Sequence, residues 1–138
     1  MISLEAGLGV LRAQHKQLQA QIAELKRAAS VGSDVKLALE LLRADLVPHL
    51  YTEEAVIGPV LQRFAPHRFE LLHAEHAHQR AVLQLLTSRV EPEGLAQAAA
   101  KLADDLLEDI EAEERDLFAT VMAHAGERTA LASAIDHR

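Results

Sequence analysis

The chain contains no cysteine and no tryptophan, and only one tyrosine and three phenylalanines. The missing cysteines exclude disulfides, thiolate zinc sites and iron–sulfur clusters, so any metal must be held by His, Asp or Glu. Aromatics make up 3 % of the residues against 49 % hydrophobic overall, so Leu, Ala, Val and Ile must build the interior. β-Branched runs are scarce, whereas Ala, Leu, Glu, Gln, Arg and Lys favour helix. No apolar run approaches the roughly 20 residues that cross a bilayer, which gives no reason to expect a membrane partner. No stretch resembles a signal peptide, so we expect a cytoplasmic protein. Positive charge is in deficit, and the formal net charge of −7 argues against a nucleic-acid-binding surface. There is no Gly-rich phosphate loop and no serine–histidine or cysteine nucleophile arrangement, which sets aside nucleotide and hydrolytic chemistry.

Punctuation divides the 138 residues into four long helical segments of a single domain, 1–138. The first runs from about Ser3, a plausible N-cap, to about Ala29, with an apolar stripe at Leu4, Leu8, Leu11, Leu18, Ile22 and Leu25. Ser30–Ser33 reads as a loop, with Ser33 placed to cap the next helix. The second segment runs from about Asp34 to Phe64, and Pro48 should bend it or begin a new helix beside His49; Gly58-Pro59 is a second weak point. The third starts near Pro66 and runs to about Arg89, carrying Phe69, Leu72, Leu83, Leu86 and Val90. Glu91-Pro92-Glu93-Gly94 is the next break, with Pro92 suited to a first helical turn. The fourth runs to about Ala123 and stops at His124-Ala-Gly126, leaving Glu127 to Arg138 as a short terminal helix or tail. Four such helices with short connections predict an all-α, antiparallel up-down four-helix bundle.

What is present is a repeat. His49-Leu-Tyr-Thr-Glu53-Glu54 returns sixty residues later as Asp109-Ile-Glu-Ala-Glu113-Glu114. Each copy sets a metal-ligand type four residues before a glutamate, on one face of a helix. That face is otherwise apolar: Val35, Leu39, Leu42, Leu46, Leu50 and Ile57 around Glu53, and Leu95, Ala99, Leu102, Leu106, Ile110 and Leu117 around Glu113. A carboxylate aimed into such a face costs several kcal/mol unless protonated, paired or bound to a cation. An offset of 61 also carries Leu8, Leu11, His15, Ile22 and Leu25 onto Phe69, Leu72, His76, Leu83 and Leu86. The chain therefore reads as two helix pairs, about 3–64 and 66–124, packed about a pseudo-two-fold axis. Their polar residues, His15, His49 and Glu53 from one half and His76, Asp109 and Glu113 from the other, would meet at the centre, where bundles commonly build metal sites.

This pattern resembles the hemerythrin-like, or HHE cation-binding, domain family. The resemblance covers about Leu4 to Met122 and rests on the lone His15, on His49-x-x-x-Glu53-Glu54, on Glu75-His76 and on the second acidic x-x-x-Glu-Glu segment. It implies a four-helix bundle around a non-haem di-iron centre with terminal histidines and bridging carboxylates. By position, His15 and His49 would ligate one iron and His76 the other, while Glu53 and Glu113 would bridge them together with an oxo or hydroxo group. Imidazole and carboxylate donors also admit manganese or zinc. Asp109 departs from the pattern, standing where the family would have a second histidine. Three possibilities follow: Asp109 ligates directly, His73 supplies the missing imidazole, or the site is incomplete or mononuclear.

The implied function is binding of, or reaction with, a small molecule: oxygen, nitric oxide, or peroxide in a catalase-like activity. An iron-sensing or storage module and a metal-free helical interaction domain are the alternatives. Other polar residues receive ordinary readings. Glu54 and Glu114 point roughly 100° from the ligand face and read as solvated. Asp45 and Asp105 read as solvated stripe flank, with hydrogen bonding to the ligands as the alternative; Glu108, Glu111, Asp104 and Asp116 as an exposed acidic face; His67, His78, His124 and His137 as surface; Tyr51 as facing away from Glu53.

Overall fold

Helix α1 (Leu4–Val31) begins where Ser3, in extended conformation, accepts a hydrogen bond on Oγ from the Ala6 N–H at 3.1 Å. It ends at Gly32, whose left-handed φ of 69° lets the chain turn while Gly32 and Ser33 donate to the Ala28 carbonyl. The computed structural model describes residues 3–88 and 93–125. Within them α2 spans Val35–Phe64, α3 Pro66–Ser88 and α4 Leu95–Ala112. A π-helical turn, Glu113–Leu117, follows α4, and α-helical geometry resumes over 118–125. The described residues contain helix and no strand. α1 packs against α2 and α4, and α2 packs against α3. Val90, the Glu91-Pro92 break, the stop at Gly126, the terminal segment from Glu127 and His137 lie outside the described residues.

The helix count and register follow the sequence pattern, with three local corrections. Ser33 does not cap α2; the N-cap is Asp34, in left-handed conformation with φ 61°, and its side chain makes no capping bond. Neither Pro48 nor Pro59 ends α2, which runs through both. Flanking apolar burial holds the helix together across each lost backbone donor. α4 begins at Leu95, after Gly94 in left-handed conformation. The fourth segment is also not uniformly α-helical. The Phe118 N–H donates to the Glu113 carbonyl, five residues back, and this wider turn shifts every later side chain around the axis.

The core is two apolar clusters. One gathers Leu18, Ile22 and Leu25 with Leu39, Leu42, Leu46 and Leu50, then Leu83 and Leu86, then Leu102, Leu106 and Ile110. The other gathers Leu8 and Leu11 with Ile57, Val60 and Leu61, then Leu72, then Leu117, Phe118 and Val121. On every helix the break between clusters falls at a polar residue the sequence had singled out: His15, Glu53, His76 or Glu113. The predicted stripes are buried as expected, with Leu4 and Phe69 packed at the margin.

Truncating a fully buried member of this core leaves a cavity as well as losing transfer free energy. Leu39→Ala should destabilise the protein by about 2–5 kcal/mol in urea unfolding. Leu37→Ala, at a side chain that is 56 % exposed, should stay within about 0.5 kcal/mol of wild type.

Candidate metal centre

Glu53 occupies the middle of the polar layer and is fully buried. Its Oε2 lies 3.1 Å from His49 Nε2 and 3.7 Å from His15 Nε2. Its Oε1 faces the other way, 3.1 Å from His76 Nε2. His49 and Glu53 share this geometry because they stand four residues apart on one helix. Glu113 approaches from the π-helical turn, placing Oε2 3.2 Å from His15 Nε2. Donor atoms of His15, His49, Glu53 and Glu113 lie within 4.8 Å of one another, a spacing that one cation could span.

The residues fit a metal on another ground. Both ring nitrogens of His15 and the Oε2 of Glu53 are buried without a hydrogen bond of proper geometry, although charged groups lie at ion-pair distance. Buried polar atoms are rarely left so. Donors converging on a point without completing one another's hydrogen bonds are the arrangement a cation would complete.

The charges are strongly perturbed. Burial alone would lower the His15 imidazole, but Glu113 and Glu53 outweigh it and raise it to about 10. His76 is raised in the same manner, against burial, by Glu53 and Glu54. Burial, and then the neighbouring Glu53 charge, push Glu113 up to about 8. Glu53 goes the other way: burial opposes its ionisation, but His15, His49 and His76 hold it well below the usual carboxylate range. The same layer thus pulls its two carboxyls in opposite directions, Glu53 towards the ionised form and Glu113 towards the protonated one.

Partners outside this layer orient the rings. His49 Nδ1 meets Gln14 Oε1 at 2.7 Å. His76 Nδ1 meets Glu54 Oε1 at 3.0 Å, and His15 Nδ1 lies 3.4 Å from Glu114 Oε1. Glu54 and Glu114 are therefore not merely solvated, as their angle on the helix had suggested; a long side chain one position off the ligand face still reaches a ring on the neighbouring helix. Phe118 stacks on His15 at 5.6 Å with the rings nearly parallel. The offset that relates the halves already linked Glu54 to Glu114; nothing in the sequence marked Phe118 or the π-helical turn that delivers it.

The remaining expected donors are placed differently. Asp109 is half-buried and its Oδ2 accepts from Gln79 Nε2 at 2.9 Å. Glu75 lies beside it, raised to about 7 by partial burial and then by the Asp109 carboxylate. His73 is exposed and faces Glu54 at 3.4 Å, stacked on Phe69, so its ring is directed to the rim of the layer. Asp45 accepts from Gln21 and Gln17, and Asp105 pairs with Lys101. Glu108, Glu111, Asp104 and Asp116 are exposed, as are His67 and His78, while His124 is half-buried against Phe64. Tyr51 is exposed beneath the Arg80 guanidinium. Two clefts flank α3 and α4, of about 220 Å³ and about 530 Å³, and both are lined by Glu75 and Asp109. Glu113 lines the smaller one.

A buried layer of imidazoles and carboxylates inside a helical bundle defines a cation-binding helical protein. The family follows from comparison: the chain matches the hemerythrin HHE cation binding domain over residues 6–132 and belongs to that family. Comparisons with curated proteins and with solved structures find no match.

The raised groups fix the sign of a pH dependence in the metal-free protein. His15 stabilises the fold fully below its ordinary 6.5, and that contribution is lost as pH rises towards about 10. Glu113, also raised, contributes below its ordinary 4.5 and loses its contribution through about 8. The thermal midpoint of chelator-treated protein, followed by circular dichroism, should therefore fall steadily between pH 6.5 and 10. Metal binding must displace the same protons, so apparent metal affinity should rise over that range until hydroxide competes.

Proposed function

We propose that this domain holds two iron ions in a carboxylate-bridged, non-haem centre that binds or reacts with oxygen, peroxide or nitric oxide. The observation that carries the reading is Glu53, whose two oxygens face opposite histidine sets: His49 and His15 on one side and His76 on the other. A buried carboxylate placed between two groups of imidazoles is suited to bridge two cations. His15, His49 and Glu113 would complete the first position, and His76 would serve the second, with Asp109 near it. Family membership supports cation binding in general; the choice of iron rests on the donor set, which suits iron, manganese or zinc. When bound, ferrous iron would supply the electrons and open coordination positions that small-oxidant chemistry requires.

The chain's own residues have distinct tasks on this reading. Gln14, Glu54 and Glu114 hold the distal nitrogens of His49, His76 and His15, leaving the inner nitrogens for the cations. Leu46, Leu106, Ile22 and Leu83 form an apolar wall that excludes bulk water. Phe118 closes the layer over His15. Antiparallel packing of two repeated halves accounts for the core. Each apolar cluster combines the N-terminal part of one helix with the C-terminal part of the next.

Anaerobic loading with Fe(II), followed by exposure to air, tests the reading by metal analysis and optical spectroscopy. The expected result is close to two irons per chain, with oxo-bridge absorption in the near ultraviolet and visible. Glu53→Ala should abolish the dinuclear signature. If that variant keeps two metals with an unchanged spectrum, the bridging assignment is wrong. One metal or fewer in a colourless wild type would favour an interaction domain held together by its own ion pairs. Tight iron uptake without turnover of peroxide would favour storage or sensing.

A further inference from the structure

We propose that Glu54, braced by Arg80, is the positioning residue that makes His76 a metal donor, and that the two cation positions consequently fill unequally. This rests on the two-cation reading above and adds an order of filling and a residue that sets it.

The two lone histidines are held in different ways. His76 is buried and meets a carboxylate at each nitrogen with hydrogen-bond geometry, Glu54 at Nδ1 and Glu53 at Nε2. Its ring is fixed at both ends. His15, its counterpart in the repeat, has two nitrogens without such bonds, and its outer partner Glu114 is exposed. Glu54 is itself restrained. Arg80 Nη1 stands 3.7 Å from its Oε1 and His73 Nδ1 stands 3.4 Å from the same oxygen, while the guanidinium rests over the Tyr51 ring at 4.9 Å. The Arg80 Nη1 atom is buried and makes no hydrogen bond, so its charge is available to Glu54.

The consequence is chemical. An imidazole that binds a cation through one nitrogen carries its proton on the other, and the acceptor at that second nitrogen decides which is which. Glu54 takes the Nδ1 proton of His76 and leaves Nε2 as the donor, facing the Glu53 oxygen that would bridge. The position made by His15, His49, Glu53 and Glu113 has four donors already gathered. The position at His76 has fewer, because Asp109 is engaged by Gln79. The second position therefore depends on the Glu54 contact far more than the first does.

Zn(II) titration of metal-free full-length protein, in competition with a chromophoric chelator, reads this directly. Wild type should take up two ions in two affinity classes. Glu54→Ala should weaken the second class about 10–100-fold and leave the first within about threefold. Glu54→Gln, which keeps an acceptor oxygen, should recover part of the loss and carries the test if the alanine variant fails to fold. In the Zn(II)-loaded protein, ¹⁵N shifts of the His76 ring should report protonated Nδ1 and metal-bound Nε2 in wild type, and a loss of that single pattern in the variant. Equal weakening of both classes, or of neither, overturns the proposal. Wild type that binds only one ion overturns the two-cation reading and this inference with it; two ions in wild type with an indifferent Glu54→Ala overturns the inference alone.

Discussion

A single ionised carboxylate, Glu53, organises this protein. Removed from water and surrounded by three imidazoles, it is stable only because each imidazole is close enough to offset the cost of burial, which for an unpaired carboxylate runs to several kcal/mol. His15 and His76 in turn are held at raised proton affinity by the acids facing them. The layer is therefore mutually dependent, and removing any one partner leaves a buried charge without compensation. A cation in the layer would relieve the same frustration by a different route, replacing protons on the imidazoles with metal. The metal-free and metal-bound states would thus compete for one set of atoms.

The layer also fixes how the helices align. It interrupts the apolar packing of all four helices at the same level, leaving one cluster on each side. Sliding one helix by a turn would push a histidine or glutamate into leucines and leave its partner unpaired, an error costing more than the loss of a few leucine contacts. Leucines supply most of the stabilisation, at about 1.5–3 kcal/mol for each one fully buried. They do so with little specificity, since one leucine fits much like another along a helix. The polar layer provides the register, and the π-helical turn is where the local chain yields to it. The turn lets Glu113 reach His15 and still brings Leu117, Phe118 and Val121 back to the core.

Much of this was legible in the sequence because it depends on period. His49 and Glu53 lie four apart, their apolar neighbours recur at helical spacing, and the offsets of 60 and 61 relate one half to the other. Those regularities located four helices and the level at which polar side chains meet. What they could not show depends on side-chain reach and on departures from the ideal helix. Glu54 lies off the ligand face by angle, yet its length carries it to His76 on another helix. The glutamates, arginine and aspartate around 113–116 carry no glycine or proline to announce an irregular turn. Pro48, read as a bend or the start of a new helix, does not end α2, because packing on both sides outweighs one missing hydrogen bond.

The halves differ most where Gln14 and His49 correspond to Glu75 and Asp109. In the first half an amide oxygen meets an imidazole at 2.7 Å. In the second, two carboxyl groups lie together, and Glu75 is raised to about 7 by partial burial and then by the Asp109 carboxylate. Gln79 donates to Asp109 Oδ2 at 2.9 Å. The departure from His-x-x-x-Glu thus goes with a change at Glu75, and replacing Asp109 by His alone would set an imidazole beside Glu75 where the first half offers Gln14. Glu75 and Asp109 also line both clefts beside α3 and α4. On the two-cation reading, the side of the centre with fewer protein donors is also the side where Asp109, which lines both clefts, sets a carboxylate in place of the expected imidazole. Added negative charge stabilises the more highly charged, oxidised metal. If two irons are held as proposed, that charge would favour irreversible chemistry over reversible carriage of an intact gas molecule.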